Sequence, residues 1–148
     1  MTPSASRFLT VAALFVRVAL AASFLSAVAD RFGIWTQLGS GEVAWGNMDN
    51  FLAYTQMLLW YLPSSVVTIA GWTATILEIV IAAALLLGVA IRPTAIASGA
   101  LLLVFAVSMT FGTGPEGPLS FSVWTAAAAS LLLAAIDPQA TGPGLRPS

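Results

Sequence analysis

The chain has 148 residues, of which 59% are apolar and only 7% charged, against about 25% charged in an ordinary soluble domain. So few charges cannot cover a globule of this length, and a mean hydropathy of +0.95 agrees, so lipid is the expected solvent for most of the surface. With no Lys, five Arg and a net charge of -1, nothing supplies a phosphate-neutralising patch for nucleic acid. The absence of Cys and His removes disulfides, thiol chemistry, His catalysis and the usual ligation of haem or iron–sulfur clusters.

A hydrocarbon core about 30 Å thick calls for roughly 20 mostly apolar residues per spanning helix. The first such stretch covers about residues 8–29 and is interrupted only by Arg17. Arg7, the apolar run and Ala27-Val28-Ala29 loosely fit a cleaved signal, but the run exceeds the 7–15 residues expected of one, and a retained helix is the reading. Asp30 and Arg31 then mark a water boundary. The following loop, to about Ser64, holds Trp35, Trp45, Phe51, Tyr54, Trp60 and Tyr61, and Trp and Tyr concentrate at membrane–water boundaries. Asp49 is placed to cap a helix over 50–62 that Pro63 stops. Phe51, Tyr54, Leu58 and Leu62 share one face of that helix, which is expected to lie in the interface or to lid the bundle.

A second span is expected over 66–91, interrupted only by Glu78. Arg92-Pro93 is read as a tight turn, with Pro suited to a first helical turn. The third span follows over 93–111 without a charge. The run Gly112 to Pro118 is expected not to be helical, and a short fourth span covers 121–136. Asp137-Pro138 ends it, ahead of a disordered tail over 140–148. The expected fold is an all-α membrane protein, a four-transmembrane-helix bundle with a short interfacial helix between helices one and two, in a single domain. Arg7, Arg92 and Arg146 fall on one side and Arg31 on the other. The positive-inside rule then places both termini in the cytoplasm of a multi-pass protein of the cell membrane.

Two ionisable residues fall inside spans, Arg17 and Glu78. At about 1.5 Å per residue they lie about 14 Å from the inner and about 18 Å from the outer end of their helices. Both are therefore expected near mid-membrane, where antiparallel packing of helices one and two would let them meet. A charge at the helix centre costs about 2.5–3.5 kcal/mol on insertion scales, so each needs a partner or water. One reading is a polar spot that binds a substrate through Arg17 and Glu78, with Glu78 as a candidate proton relay. The other is a pair that fixes helix register and does nothing else. Thr73 and Thr75 are expected to bond back to their own backbone, Gly71 to allow close helix contact, and Trp45, Asn47 and Asp49 to serve as an interfacial anchor and helix cap, with part of an outer site as the other reading. No metal-ligand spacing, nucleotide loop or catalytic triad is present.

Four segments together resemble the DoxX family of small four-helix membrane proteins over nearly the whole chain. They are Arg17 with VALAASFLSAVADRFG, then WGNMDNFLAYTQMLLWYLP from Trp45 to Pro63, ATILEIVIAAALLLGVAIRP from Ala74 to Pro93, and PLSFSVWTAAAASLLLA from Pro118 to Ala134. The most specific element is a Glu followed by LLLG and an Arg, here Glu78 and Arg92. Relatives commonly carry a Gly and a Lys near the end of helix one, where this chain has Ala29, Asp30 and Arg31. The resemblance implies a membrane subunit or partner of a quinone-linked redox system, with quinone as the cofactor and a soluble or membrane oxidoreductase as the partner. On that reading the chain is an accessory subunit, not catalytic alone. A non-catalytic scaffold for a soluble redox enzyme, and a transporter of small molecules or lipids, stand as alternatives. Ala- and Gly-rich helices also suit a homo-oligomer.

Overall fold

The computed structural model describes residues 3–39 and 43–136. Among them the chain forms helices α1 (Pro3–Arg31), α2 (Ile34–Gln37), α3 (Met48–Leu58), α4 (Ser64–Leu87), α5 (Ile91–Thr113), α6 (Glu116–Ser120) and α7 (Val123–Ile136). No strand occurs among the described residues. Three helices are long and apolar enough to cross a membrane, namely α1 from Arg7, α4 and α5. At about 1.5 Å per residue, the 14 residues of α7 extend about 21 Å, short of a hydrocarbon core of about 30 Å. The expected tail, the Asp137-Pro138 stop and Arg146 lie outside the described residues.

Several helix ends differ from the sequence expectation, for local reasons. α4 stops at Leu87 instead of continuing to residue 91, because Gly88 takes a left-handed conformation (φ 73°) and its N–H closes on the Ala84 carbonyl. Ala90 is also left-handed (φ 45°), so the turn falls at 88–90 and Arg92-Pro93 sits within the first turn of α5. Pro93 there lacks an N–H that would have had no partner. α3 begins and ends earlier than the expected 50–62. Asn47, not Asp49, is its cap, accepting the Asn50 N–H at 2.8 Å, and Leu59 leaves the helical region (φ -109°, ψ 43°). The run from Gly112 to Pro118 is largely helical after all: α5 runs on to Thr113, and Glu116 opens α6. Gly114 (φ 100°) and Pro115 interrupt it, while Ser122 (φ 57°) separates α6 from α7.

α1 packs along α4 and α5 along α7, and the two pairs join through α4 against α5 and α1 against α7. One end of this bundle is filled. Leu20, Ala21, Ile81, Ala82, Leu85 and Ala95 belong to a buried cluster there, with Leu133 and Ala134 from α7. The alanines let backbones approach closely, which is how helices associate in a solvent as apolar as their own side chains. Between α5 and α7 the Ser98 and Ser130 hydroxyls also share a buried hydrogen bond of 2.8 Å. The opposite end is crossed by α3, which packs on α4 and α5. Its seat depends on two glycines: a Cβ on Gly71 would lie 2.5 Å from Leu52 Cδ2, and one on Gly112 would lie 2.8 Å from Leu58 Cα.

Candidate functional site

Beneath α3 the two helix pairs stand apart around a cleft of about 1400 Å³. Its wall is mostly apolar, with Phe24 and Ala27 from α1, Leu77 from α4, Phe105 from α5 and Ala126 from α7, while Tyr54 and Leu58 line it from α3. Asp30, Arg31 and Glu78 are the ionisable residues in that wall.

Glu78 is 1% exposed and Arg31 3%. The guanidinium grips the carboxylate at both ends: Nη1 donates to Oε2 at 2.5 Å and Nη2 to Oε1 at 2.9 Å. Nη1 also donates to the Thr75 hydroxyl at 2.8 Å, and Thr75 in turn donates to the Gly71 carbonyl at 2.9 Å. The Phe51 ring covers the cation, its centroid 3.8 Å from Cζ, and the Trp45 ring lies at 5.6 Å. Such faces attract a cation by up to about 2 kcal/mol when it is desolvated. Burying two charges is expensive, and this fork geometry offsets part of that cost. Arg31 Nε is buried and has no hydrogen-bond partner among the described residues.

Asp30, at 4% exposure, does not join the pair. Its Oδ2 accepts the Trp45 N–H at 2.8 Å and its Oδ1 the Gly46 N–H at 3.2 Å. The Trp45 carbonyl accepts from Asn50 Nδ2 at 2.8 Å. Asp30 thereby staples the approach to α3 onto the end of α1, and Trp45 meets Phe51 edge-on at 5.2 Å. The expectation that Asp30 and Arg31 mark a water boundary is corrected: this folded-back segment buries both.

The expected meeting of Arg17 and Glu78 is corrected as well. Arg17 Nε and Nη2 donate to the Leu85 carbonyl at 3.0 and 2.8 Å. That carbonyl belongs to the last turn of α4, whose carbonyls lack helical partners and carry the negative end of the helix dipole. Arg17 is a helix cap, and the structure does not bring it to Glu78. Two boundary shifts account for the difference. α4 ends at Leu87, so the position opposite Arg17 is the end of α4 and not its middle. Arg31 stands at the last residue of α1, but helical side chains point back toward the N-terminus, so it reaches inward to the level of Thr75 and Glu78. That direction rule was the signal available in the sequence. Thr75, expected only to back-bond, does so and also accepts from Arg31.

Chemically, the site is a neutralised ion pair in the wall of an apolar cleft, roofed by aromatic rings. Both oxygens of Glu78 are engaged by Arg31, so Glu78 is held as a counter-ion in this arrangement. Comparison of the chain with family models, with curated proteins and with solved structures finds no match.

Proposed function

We propose that this chain is a four-span membrane protein whose cleft holds a long-tailed apolar molecule, and that it works as the membrane partner of a quinone-linked redox system. The spans are α1, α4, α5 and the α6–α7 segment, with α3 in the outer interface and both termini in the cytoplasm. The observation that carries this reading is the cleft of about 1400 Å³, mostly apolar and with the buried Arg31–Glu78 pair in its wall. Ligand sites of this kind combine an apolar wall with a few polar groups that orient the ligand. Intramembrane ionisable residues mark such sites by default.

The redox context rests on the resemblance to the DoxX family, and the residues present fit a quinone. Phe24 and Phe105 would flank the ring or its tail, and Arg31 would face a ring oxygen. When bound, a quinone supplies two-electron carrier chemistry that a chain without Cys or His lacks. The chain's own residues orient it and exclude water, with Asp30 fastening the roof. A lipid-handling role is the second reading. It is favoured by exposed Ser23, Ser26 and Thr125, which line the cleft between α1 and α7 where a bilayer molecule would reach it.

Extraction in mild detergent, followed by organic-phase analysis of the purified protein, tests the proposal. Quinone stoichiometric with the chain is the expected result. Co-purified lipid with no quinone favours the second reading. Neither quinone nor lipid, together with a co-purifying soluble enzyme, would leave a scaffold and overturn the cleft's role.

A further inference from the structure

Arg17 is held by one edge only. Its Nε and Nη2 donate side by side to the Leu85 carbonyl. The end-on edge, one N–H each from Nη1 and Nη2, is left without a partner among the described residues. That edge is not sealed in. Arg17 is half-buried, and the buried side-chain donor without a partner among the described residues is Arg31 Nε, so Arg17 Nη1 is open to its surroundings. Gly88 keeps room for the group, since a Cβ there would lie 2.8 Å from Nη2 and 3.7 Å from Nη1. A free guanidinium edge matches two oxygens of one phosphate or carboxylate.

No carboxylate among the described residues fills it. Arg7, Arg17 and Arg92 lie toward the Gly88 end, whereas Asp30, Asp49, Glu78 and Glu116 lie toward α3. The ion pair of the described residues joins Arg31 to Glu78. The Leu85 carbonyl brings only the partial charge of a helix end, so the described part of the Gly88 end carries cations that it does not offset. Exposed Leu14 and Val18 flank Arg17 on α1, and exposed Leu86, Leu87 and Val89 flank Gly88. We infer that Arg17 binds the phosphate of an anionic phospholipid, whose acyl chains lie along these apolar residues. Basic residues at a bilayer surface attract anionic lipid, whereas a zwitterionic lipid offsets its own phosphate. A free phosphate gains nothing from the apolar flank. Arg92, exposed just past the 88–90 turn, adds charge but no held fork. This site lies apart from the cleft and does not depend on what the cleft holds.

Full-length protein in dodecyl maltoside, a detergent without phosphate, is titrated with dioleoylphosphatidylglycerol, dioleoylphosphatidylcholine and dioleoylglycerol, and bound lipid is read by native mass spectrometry. Phosphatidylglycerol should bind about tenfold more tightly than either of the others, the size of one charge-assisted contact. Inorganic phosphate should displace it only weakly. Gly88→Ala changes no charge but sets a methyl against the guanidinium, and Arg17→Lys keeps the charge but loses the planar fork. The preference should vanish in both, and should persist in Arg92→Gln, which removes a charge from the same end. If the first two variants do not fold, dipolar coupling between the Arg17 Cζ and the lipid phosphorus in the unmodified protein decides, its absence overturning the site. Equal binding of phosphatidylglycerol and phosphatidylcholine overturns anionic recognition. A preference that survives in Gly88→Ala or in Arg17→Lys, or that is lost in Arg92→Gln alone, overturns the assignment to Arg17. Inorganic phosphate that binds as tightly as phosphatidylglycerol overturns a lipid source.

Discussion

At the Gly88 end of the bundle Ala21, Ala82 and Ala95 are fully buried, and α1, α4, α5 and α7 close on one another. Toward the α3 end the same helices part around a cleft of about 1400 Å³, whose α1 wall runs from Phe15 to Arg31. Both ends are apolar, so hydrophobicity does not separate them. In lipid the tails are as apolar as leucine, and helices associate through small residues and shape. Where alanines and Ser98–Ser130 face one another, backbones meet. Phe105, Tyr54 and Leu58 line the open side, and the buried Arg31–Glu78 pair lies there.

The largest effect should come from breaking the clasp. Glu78→Leu leaves Arg31 buried and unpaired, and unfolding in a denaturing detergent titration should lose about 3–5 kcal/mol. Adding Arg31→Met should restore most of it, since removing both charges of a buried pair is near neutral. A single substitution that changes stability by less than about 0.5 kcal/mol would place it among ordinary surface changes and show the pair does not hold this end. Next, one change made at both ends sharpens the contrast. Ala82→Leu overfills the closed end and should cost about 1–3 kcal/mol. Ala129→Leu projects into the cleft and should stay within about 0.5 kcal/mol. Equal losses would mean that the two ends are packed alike.

Smaller effects address the roof. Asp30→Asn weakens the acceptors for Trp45 and Gly46 and should lower stability by about 1 kcal/mol. Faster hydrogen exchange should appear at those two amides and through α3, with α5 and α7 unchanged, because local openings follow local contacts. Phe51→Leu removes the ring over Arg31 but keeps an apolar side chain, and about 0.5–2 kcal/mol should be lost, read from the same titration.

Much of the frame was legible in residues 8–29, 66–91 and 93–111, because a lipid solvent imposes long apolar runs that composition alone reveals. The ends were less so. Gly88 and Ala90 turn the chain before Arg92-Pro93, a left-handed geometry that depends on how α5 docks. Gly112 looks like a breaker, yet it stays helical in α5, and its missing side chain admits Leu58. The expected contact was not legible: Glu78 is paired with Arg31 and Arg17 with the Leu85 carbonyl, because pairing by depth along two helices assumed that both begin and end flush. Arg31 was hidden by its place at a helix end, where only the backward tilt of its side chain and the burial supplied by residues 43–58 make it an interior group.

Photolabelling tests the contrast between the two ends most directly. Protein in lipid bilayers is irradiated with a diazirine-bearing long-chain quinone, with and without excess unlabelled decyl-para-benzoquinone, and the labelled peptides are mapped. Competed labelling should concentrate on cleft residues such as Leu58, Phe105 and Thr125, with none at Ala82 or Ala95. Labelling that does not compete, or that falls evenly on every lipid-facing helix, would contradict a ligand-holding cleft at the α3 end.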